Sequence, residues 1–496
     1  MIRLVEPRHH VSLDDYDRVG QLAVAVADLR QEARSLVPSL AGRRVWMVNS
    51  AARGGGVAEL LPSLLRLLRD LGVDANWLVM EPSQPEFFPL TKRLHNLIHD
   101  QGDPELGPAE RKLYHQVSAE AAEKIGAHVG PADVLVTHDP QPLGAGALVR
   151  RQQDITAIWR CHIGLDHRTP RTSAAWRFLQ PYANGYDHAV FSVPEYIPSY
   201  LSGRTTIIHP GIDPLSHKNR DLTIHKLVGI LVDGGLTPAY GPVLAPPFAY
   251  QAQRLQSDGS WAPAVEPDDI GLLFRPIITQ VSRWDRLKGF LPLMAGFAAL
   301  KREAARRTDL PPRGRRALET VRLVLAGPGL DGVPDDPEGA QVLGEIAEAY
   351  LRLAPELQDA IAVVRLPMAS AKENALLVNA LQRCSDIVVQ NSLQEGFGLT
   401  VTEAMWKAVT VVGTSAAGLR QQIRSGVDGC LINDPTDPDE IARTLFDLLL
   451  DPHRREAMGS AAQRRVYDDF LVLTQVRRWL EVITHAVTTG RSTARI

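Results

Sequence analysis

Over the first 214 residues, short apolar runs alternate with longer stretches of helical period. Val45-Trp46-Met47-Val48 is followed by Gly54, Gly55 and Gly56, and then by an amphipathic run from about Val57 to Leu71. A short apolar run closed by glycine predicts a strand, and apolar residues recurring at i, i+3 and i+4 predict a helix. Further strands are expected at Asn76–Met80, Val134–Thr137, Ala157–Cys161, His188–Ser192 and Thr206–His209, several of them far enough apart to hold helices. This alternation favours a parallel sheet covered by helices on both faces, an α/β architecture.

From Leu215 to about residue 270 the rhythm fails, and Gly234 to Pro267 is rich in Gly, Pro and Ala with weak periodicity. The segment 215–270 is therefore expected to be an insertion or interdomain segment. Alternation resumes with strands predicted at Ile277–Val281, Val321–Ala326, Ala362–Leu366, Ile387–Gln390, Thr410–Gly413 and Cys430–Ile432, which define a second α/β domain over 271–470. The chain from Pro452 to Thr489 is helical in pattern and could pack on either lobe; 471–496 is expected to be a C-terminal helix, with packing back on the N-terminal domain, residues 1–214, as one of the two options.

A length of 496 residues suits two large lobes better than one core. With 45% hydrophobic and 22% charged residues, wholesale disorder is excluded. A net charge of -3 argues against a nucleic-acid partner. Cys161, Cys384 and Cys430 are scattered, which offers no disulfide or zinc framework and suits a reducing compartment. No protein-bound metal is expected. The first ten residues lack the apolar core of a signal peptide and no run of eighteen apolar residues follows, so the expectation is a cytoplasmic protein without a membrane partner.

The strongest chemical signal is Glu395-Gly-Phe-Gly-Leu-Thr-Val-Thr-Glu403, one carboxylate in a glycine-bearing loop and a second inside the helix expected after it. Helix N-terminal amides approached past Gly396 and Gly398 suit a phosphate. A carboxylate accepts from two adjacent hydroxyls, so Glu395 suits a sugar ring and Glu403 a ribose diol, unless Glu403 is an ordinary helix-start acid. Ser282-Arg283-Trp284-Asp285-Arg286-Leu287-Lys288-Gly289 follows a predicted strand. Arg283 and Lys288 fit a diphosphate there, or form a solvated basic loop paired to Asp285. Asn49 to Glu59, which contains Gly55 and Gly56, also joins strand to helix; it is neither a Walker A loop nor a GxGxxG fingerprint, and its glycines suit a turn as well as a ligand. His138-Asp139-Pro140-Gln141-Pro142 and Trp159-Arg160-Cys161-His162 close strands, where sugar contacts belong, although a lone His162 also reads as a structural histidine.

These stretches resemble the GT-B retaining glycosyltransferases marked by the EX7E motif, glycosyltransferase family 4, and within them the branch of trehalose glycosyltransferring synthase and trehalose phosphorylase. The resemblance runs from about Val45 to Leu480 and includes Glu86-Phe-Phe-Pro-Leu-Thr-Lys-Arg-Leu-His-Asn96, Pro194-Glu-Tyr196 and Ile212-Asp-Pro-Leu215. It implies two Rossmann-like domains facing a central cleft, with the acceptor in the first and the nucleotide-sugar in the second. The implied reaction moves glucose from an NDP-glucose to glucose, giving trehalose, with phosphorolysis, another small acceptor or a sugar-nucleotide sensor as alternatives. On matching positions, Arg283 and Lys288 neutralise the diphosphate, assisted by amides near Gly398, Leu399 and Thr400. Glu395 holds donor glucose, Glu403 the ribose, His162 the donor sugar near the reacting carbon, and Gly55 and Gly56 lie by the phosphates. Lys92, His95, Asn96 and Asp139 are implied acceptor contacts. No tightly bound cofactor is implied beyond NDP-glucose as co-substrate, with Mg2+ at most stimulatory; glucose and trehalose are the other ligands, and a homodimer is allowed. After His162 the chain reads Ile-Gly-Leu-Asp166, where some family members place Asp two residues after the histidine.

Overall fold

The computed structural model describes residues 1–7, 11–52, 56–82, 84–239, 248–264, 266, 269–330 and 337–493. Among the described residues the chain divides into two compact units, Met1–Gly211 with Phe470–Ile496, and Ile212–Asp469.

The first unit contains β1 (Ile2–Val5), β2 (Arg44–Asn49), β3 (Asp74–Met80), β4 (Val134–His138), β5 (Thr156–Cys161), β6 (His188–Phe191) and β7 (Thr205–Ile207). They form one sheet in the order β1-β3-β2-β4-β5-β6-β7. β1 runs antiparallel to β3 and the other pairs are parallel. Every residue of β4 and β5 is buried, which is why these strands read as unbroken apolar runs: helices cover both faces of the sheet. The helix Gly56–Asp70 connects β2 to β3, and the helix Pro140–Gln152 connects β4 to β5.

The chain returns to this unit at its end. The helix Val472–Thr493 packs on the helix Ala23–Leu36 and on β5. Val476, Trp479, Leu480 and Ile483 are buried at i, i+3, i+4 and i+7, a single apolar stripe. The predicted helical stretch from Pro452 is thus two helices, because Pro452–Asp469 belongs to the second unit and a break at Phe470-Leu471 sends the chain back to the first.

The second unit contains β8 (Gln253–Leu255), β9 (Trp261–Ala262), β10 (Ile277–Val281), β11 (Arg322–Pro328), β12 (Ile361–Leu366), β13 (Ile387–Gln390), β14 (Thr410–Thr414) and β15 (Cys430–Ile432). Their order is β15-β14-β13-β10-β11-β12-β8-β9, parallel except where β8 pairs with β12 and with β9. The segment 215–270, expected as an insertion or interdomain segment, is part of this unit. Its helix Ile224–Asp233 packs on the helix Ala371–Arg383, and β8 and β9 extend the sheet. The edge strands are too short to show an apolar period and are held by side chains instead. The Arg365 guanidinium lies 4.0 Å over the Trp261 ring and donates to Gln253 Oε1 at 2.5 Å.

Among the described residues no helix is long and apolar enough to cross a membrane. Cys161, Cys384 and Cys430 are free thiols.

Trp479 is 1% exposed within the stripe that holds the terminal helix to the first unit. Trp479→Ala is expected to destabilise the protein by about 3–5 kcal/mol, the usual loss for a large buried aromatic, read as a fall in the urea midpoint.

Candidate active site

In the second sheet, β11 and β12 lie on one side of β10 while β13, β14 and β15 lie on the other. The strand order reverses between β10 and β13, and open α/β sheets bind ligands outside the C-terminal ends of strands at such a point. The loops leaving β10 and β13 carry the two strongest sequence motifs.

Their side chains meet. Lys288 Nζ donates to Glu395 Oε2 at 2.7 Å, with the two side chains 14% and 11% exposed. The same oxygen accepts from Ser392 Oγ at 2.9 Å and Gln390 Nε2 at 3.2 Å. Arg283 stands apart from this network, 72% exposed and 3.8 Å from Asp285 Oδ2. Asp285 chiefly caps the short 3-10 turn Arg286–Lys288 by accepting from the Leu287 amide at 2.8 Å, so of the two cations Lys288 is the one drawn inward. The loops are clamped by buried amides: Gln280 Nε2 donates to the Lys288 carbonyl at 2.7 Å, and Asn391 Nδ2 donates to the Gly289 carbonyl at 3.1 Å. Gly289 sits at φ 62, and a Cβ there would fall 2.1 Å from the Asn391 carbonyl oxygen.

Gly398, at φ 83, is the N-cap of the helix Leu399–Trp406, so Leu399 and Thr400 supply its first amides, which have no intrahelical acceptor. A Cβ at Gly398 would crowd Glu395 Cγ at 2.9 Å, whereas one at Gly396 would meet no atom within 4 Å. Glu403 lies beyond the first turn and is buried, with Lys218 Nζ 3.5 Å from its Oε1, so it is not a helix-start acid. Lys407 Nζ donates to the Glu403 carbonyl at 2.9 Å and to Asn219 Oδ1 at 3.3 Å, and burial pushes the Lys407 ammonium down to about 7.

The first sheet reverses order between β2 and β4. Gly55 lies outside the described residues; Gly56 is the exposed first residue of its helix. After β4 and β5 the chain builds a compact cluster. His138 Nδ1 and His162 Nε2 are 3.1 Å apart, and the His162 amide donates to Asp139 Oδ1 at 2.8 Å. Asp139, implied as an acceptor contact, is half-buried against the His162 loop at φ 65, a conformation costly for a non-glycine residue. Burial raises its carboxyl to about 6. Arg160 is buried beside it, donating to Ser192 Oγ at 3.0 Å and to the Ile208 carbonyl at 2.9 Å. Burial holds His138 at about 3 and His162 well below its ordinary value, so both rings are neutral. Lys92, His95 and Asn96 share one face of the helix Phe87–Ile98, with Lys92 exposed and His95 lowered to about 4 by burial and by His99.

Ser392 and Gln390 were not expected as site residues, and His138 stood only within a strand-end stretch of candidate sugar contacts, without a role of its own. The available signal was polar residues at the C-terminal ends of strands: His138 ends β4 opposite Arg160 of β5, and His162 follows directly after β5. A separate open cavity of about 980 Å³ borders Arg30, Arg34, Arg44 and Asp74 at the opposite strand ends of the first unit. Arg30 and Arg44 there are already paired with Asp14, Asp17 and Asp133. Among the described residues no cluster of His, Cys, Asp or Glu is arranged to hold a metal.

Residues 47–198 match the family described as trehalose synthase, N-terminal domain, and residues 274–465 match glycosyl transferases group 1. The trehalose synthase of Thermococcus litoralis is 33% identical over 475 residues, covering 95% of this chain and 96% of that protein. The trehalose phosphorylase of Grifola frondosa is 24% identical over 90% of this chain and 58% of its own length. Among solved structures, the apo form of OtsA superposes with a TM-score of 0.61 at 16% identity, covering 90% of this chain and 99% of that one. The fold is that of the GT-B glycosyltransferases. Within that class, the chain belongs to the trehalose synthase family.

Because Asp139 titrates near 6 when folded and near 3.8 otherwise, the folded state binds the proton more tightly, and stability falls as pH rises from about 4 to 6. The buried histidines act oppositely, losing stability as pH falls below about 6.5. The stability gain of Asp139→Asn over wild type should therefore grow between pH 4 and 7, by on the order of 3 kcal/mol in urea titrations. Gly289→Ala should cost about 1–3 kcal/mol by the same measurement, because its methyl displaces the Asn391 loop.

Proposed function

We propose that the chain transfers glucose from a nucleoside-diphosphate glucose to glucose, forming trehalose with retention at the anomeric carbon, and that the reaction runs in both directions. The observation that carries this reading is the Lys288–Glu395 pair at the strand-order reversal of the second sheet, beside the glycine-bearing N-terminus of the helix Leu399–Trp406. A cation for the diphosphate and a carboxylate for sugar hydroxyls are already adjacent there, with helix amides at hand.

In this reaction Arg283 and Lys288 neutralise the diphosphate with the amides near Gly398, Leu399 and Thr400, and Gly55 and Gly56 lie by the phosphates. Glu395 accepts from the glucose hydroxyls and Glu403 from the ribose diol, while His162 contacts the donor sugar. Lys92, His95 and Asn96 serve the acceptor, and Asp139 holds the His162 loop. The bond from the anomeric carbon to the phosphate oxygen breaks through an oxocarbenium-like state. The acceptor hydroxyl oxygen bonds that carbon from the same face, and its proton passes to the departing phosphate oxygen. Catalysis is positioning and charge stabilisation, without an enzyme nucleophile. The reaction needs no tightly bound cofactor, Mg2+ acting at most as a stimulant, and no nucleic acid or membrane; a homodimer is compatible with it.

Phosphorolysis of trehalose is the rival, suggested by the phosphorylase relative. It has no ribose to bind, so nucleotide binding and phosphate dependence separate the two.

Incubation with glucose and each of UDP-, ADP- and GDP-glucose should yield an α,α-1,1 disaccharide by NMR together with free nucleoside diphosphate. Lys288→Ala should lower kcat by about 10²–10³ in the same assay. Absence of transfer to glucose by folded protein that binds the nucleotide-sugar would contradict the acceptor, and phosphate-dependent release of glucose 1-phosphate from trehalose without nucleotide would favour the rival.

A further inference from the structure

His138 lies in the first unit, 1% exposed, at the C-terminal end of β4. Its ring is nearly parallel to that of His162, at 16° with centroids 5.4 Å apart, while the facing nitrogens are 3.1 Å apart. The centroid distance exceeds the nitrogen distance by about two ring radii, so the contact is edge to edge, the geometry of a hydrogen bond. The Trp479 ring also lies near His138, with ring centroids 6.2 Å apart. His138 Nε2 is buried and, among the described residues, has no hydrogen-bond partner.

That unpartnered nitrogen decides which ring donates. A neutral imidazole has one N–H and one lone pair. If His162 donated, His138 would carry its own proton on Nε2, leaving a buried N–H without an acceptor, the rarer and costlier state. With the proton on His138 Nδ1, that N–H is satisfied by His162 Nε2 and only a lone pair is left unmet. His162 Nε2 then accepts, and the proton of His162 must sit on Nδ1. The Asp139 carboxylate fixes the His162 backbone through its amide, so ring and main chain are held by separate partners.

We propose that His138 is a positioning residue that locks His162 in the Nδ1–H tautomer, so that His162 presents a hydrogen-bond donor, and not an acceptor, to a hydroxyl oxygen of the donor sugar. The inference rests on the proposed role of His162 toward that sugar, but the tautomer is read without substrate. No proton is transferred; the histidine pair sets where one resides.

The test uses the full chain with 15N-histidine and long-range 1H–15N spectra, resonances being assigned by their loss in His138→Asn and His162→Gln. Wild type should show His162 protonated on Nδ1 with an unprotonated Nε2. His138→Leu should release this preference toward Nε2–H and lower kcat by about 10–100-fold with little change in KM for the acceptor. His138→Asn, whose amide N–H replaces that of Nδ1, should keep both the tautomer and most of the turnover, and it guards against simple misfolding of the leucine variant. A wild-type His162 protonated on Nε2, or a tautomer unmoved by His138→Leu, would overturn the lock. A tautomer that shifts as expected with unchanged kcat would overturn the link to the sugar, leaving the transfer reaction to be judged by the product assay.

Discussion

The second unit is organised around one largely buried ion pair. Lys288 and Glu395 come from loops 107 residues apart in sequence and meet at 2.7 Å where the sheet order reverses. Two charges withdrawn from water are tolerated only with close partners and further hydrogen bonds, and here Ser392 and Gln390 donate to the same carboxylate oxygen. The pair ties the loop after β10 to the loop after β13 and holds both charges before any ligand arrives. In the proposed reaction the diphosphate draws on the ammonium and the sugar on the carboxylate, so the ligand replaces an interaction already oriented toward it. Such preorganisation lets a site stabilise a departing charge without rearranging first.

The first unit reaches the same end with neutral groups. His138, Asp139 and His162 lie at the ends of two adjacent parallel strands, and burial keeps both imidazoles uncharged while raising the Asp139 carboxyl. The backbone strain at Asp139 is held by its neighbours, chiefly the bond to the His162 amide. The terminal helix places Trp479 near His138, so a segment distant in sequence shapes a strand-end cluster.

Much of this was legible in the sequence, for identifiable reasons. Strands such as β4 and β10 are buried on both faces and show as unbroken apolar runs, and the glycines around Glu395 mark a loop against a helix start. Strand β1 was not legible because it is short, antiparallel and partly exposed. β8 and β9 were hidden in a Gly- and Pro-rich stretch and depend on Arg365 and Trp261, a pairing across about 100 residues that no local pattern records. The site shows the same division. Lys288, Glu395 and His162 stand out by type and place, but that Lys288 turns inward to Glu395 while Arg283 stays exposed follows from the capped turn after β10. Likewise, His138 pairs in register with Arg160, and its contact with His162 is made by the chain just beyond β5.

Calorimetric titration of Glu395→Gln separates the two halves of the Lys288–Glu395 site most directly, using the nucleoside diphosphate that wild type binds and the corresponding NDP-glucose. Weaker binding of NDP-glucose with undiminished binding of the nucleoside diphosphate is expected, because the amide keeps only one, uncharged, acceptor oxygen for the sugar and, without the carboxylate charge, frees Lys288 for phosphate. Equal loss of both ligands, or of neither, would contradict it.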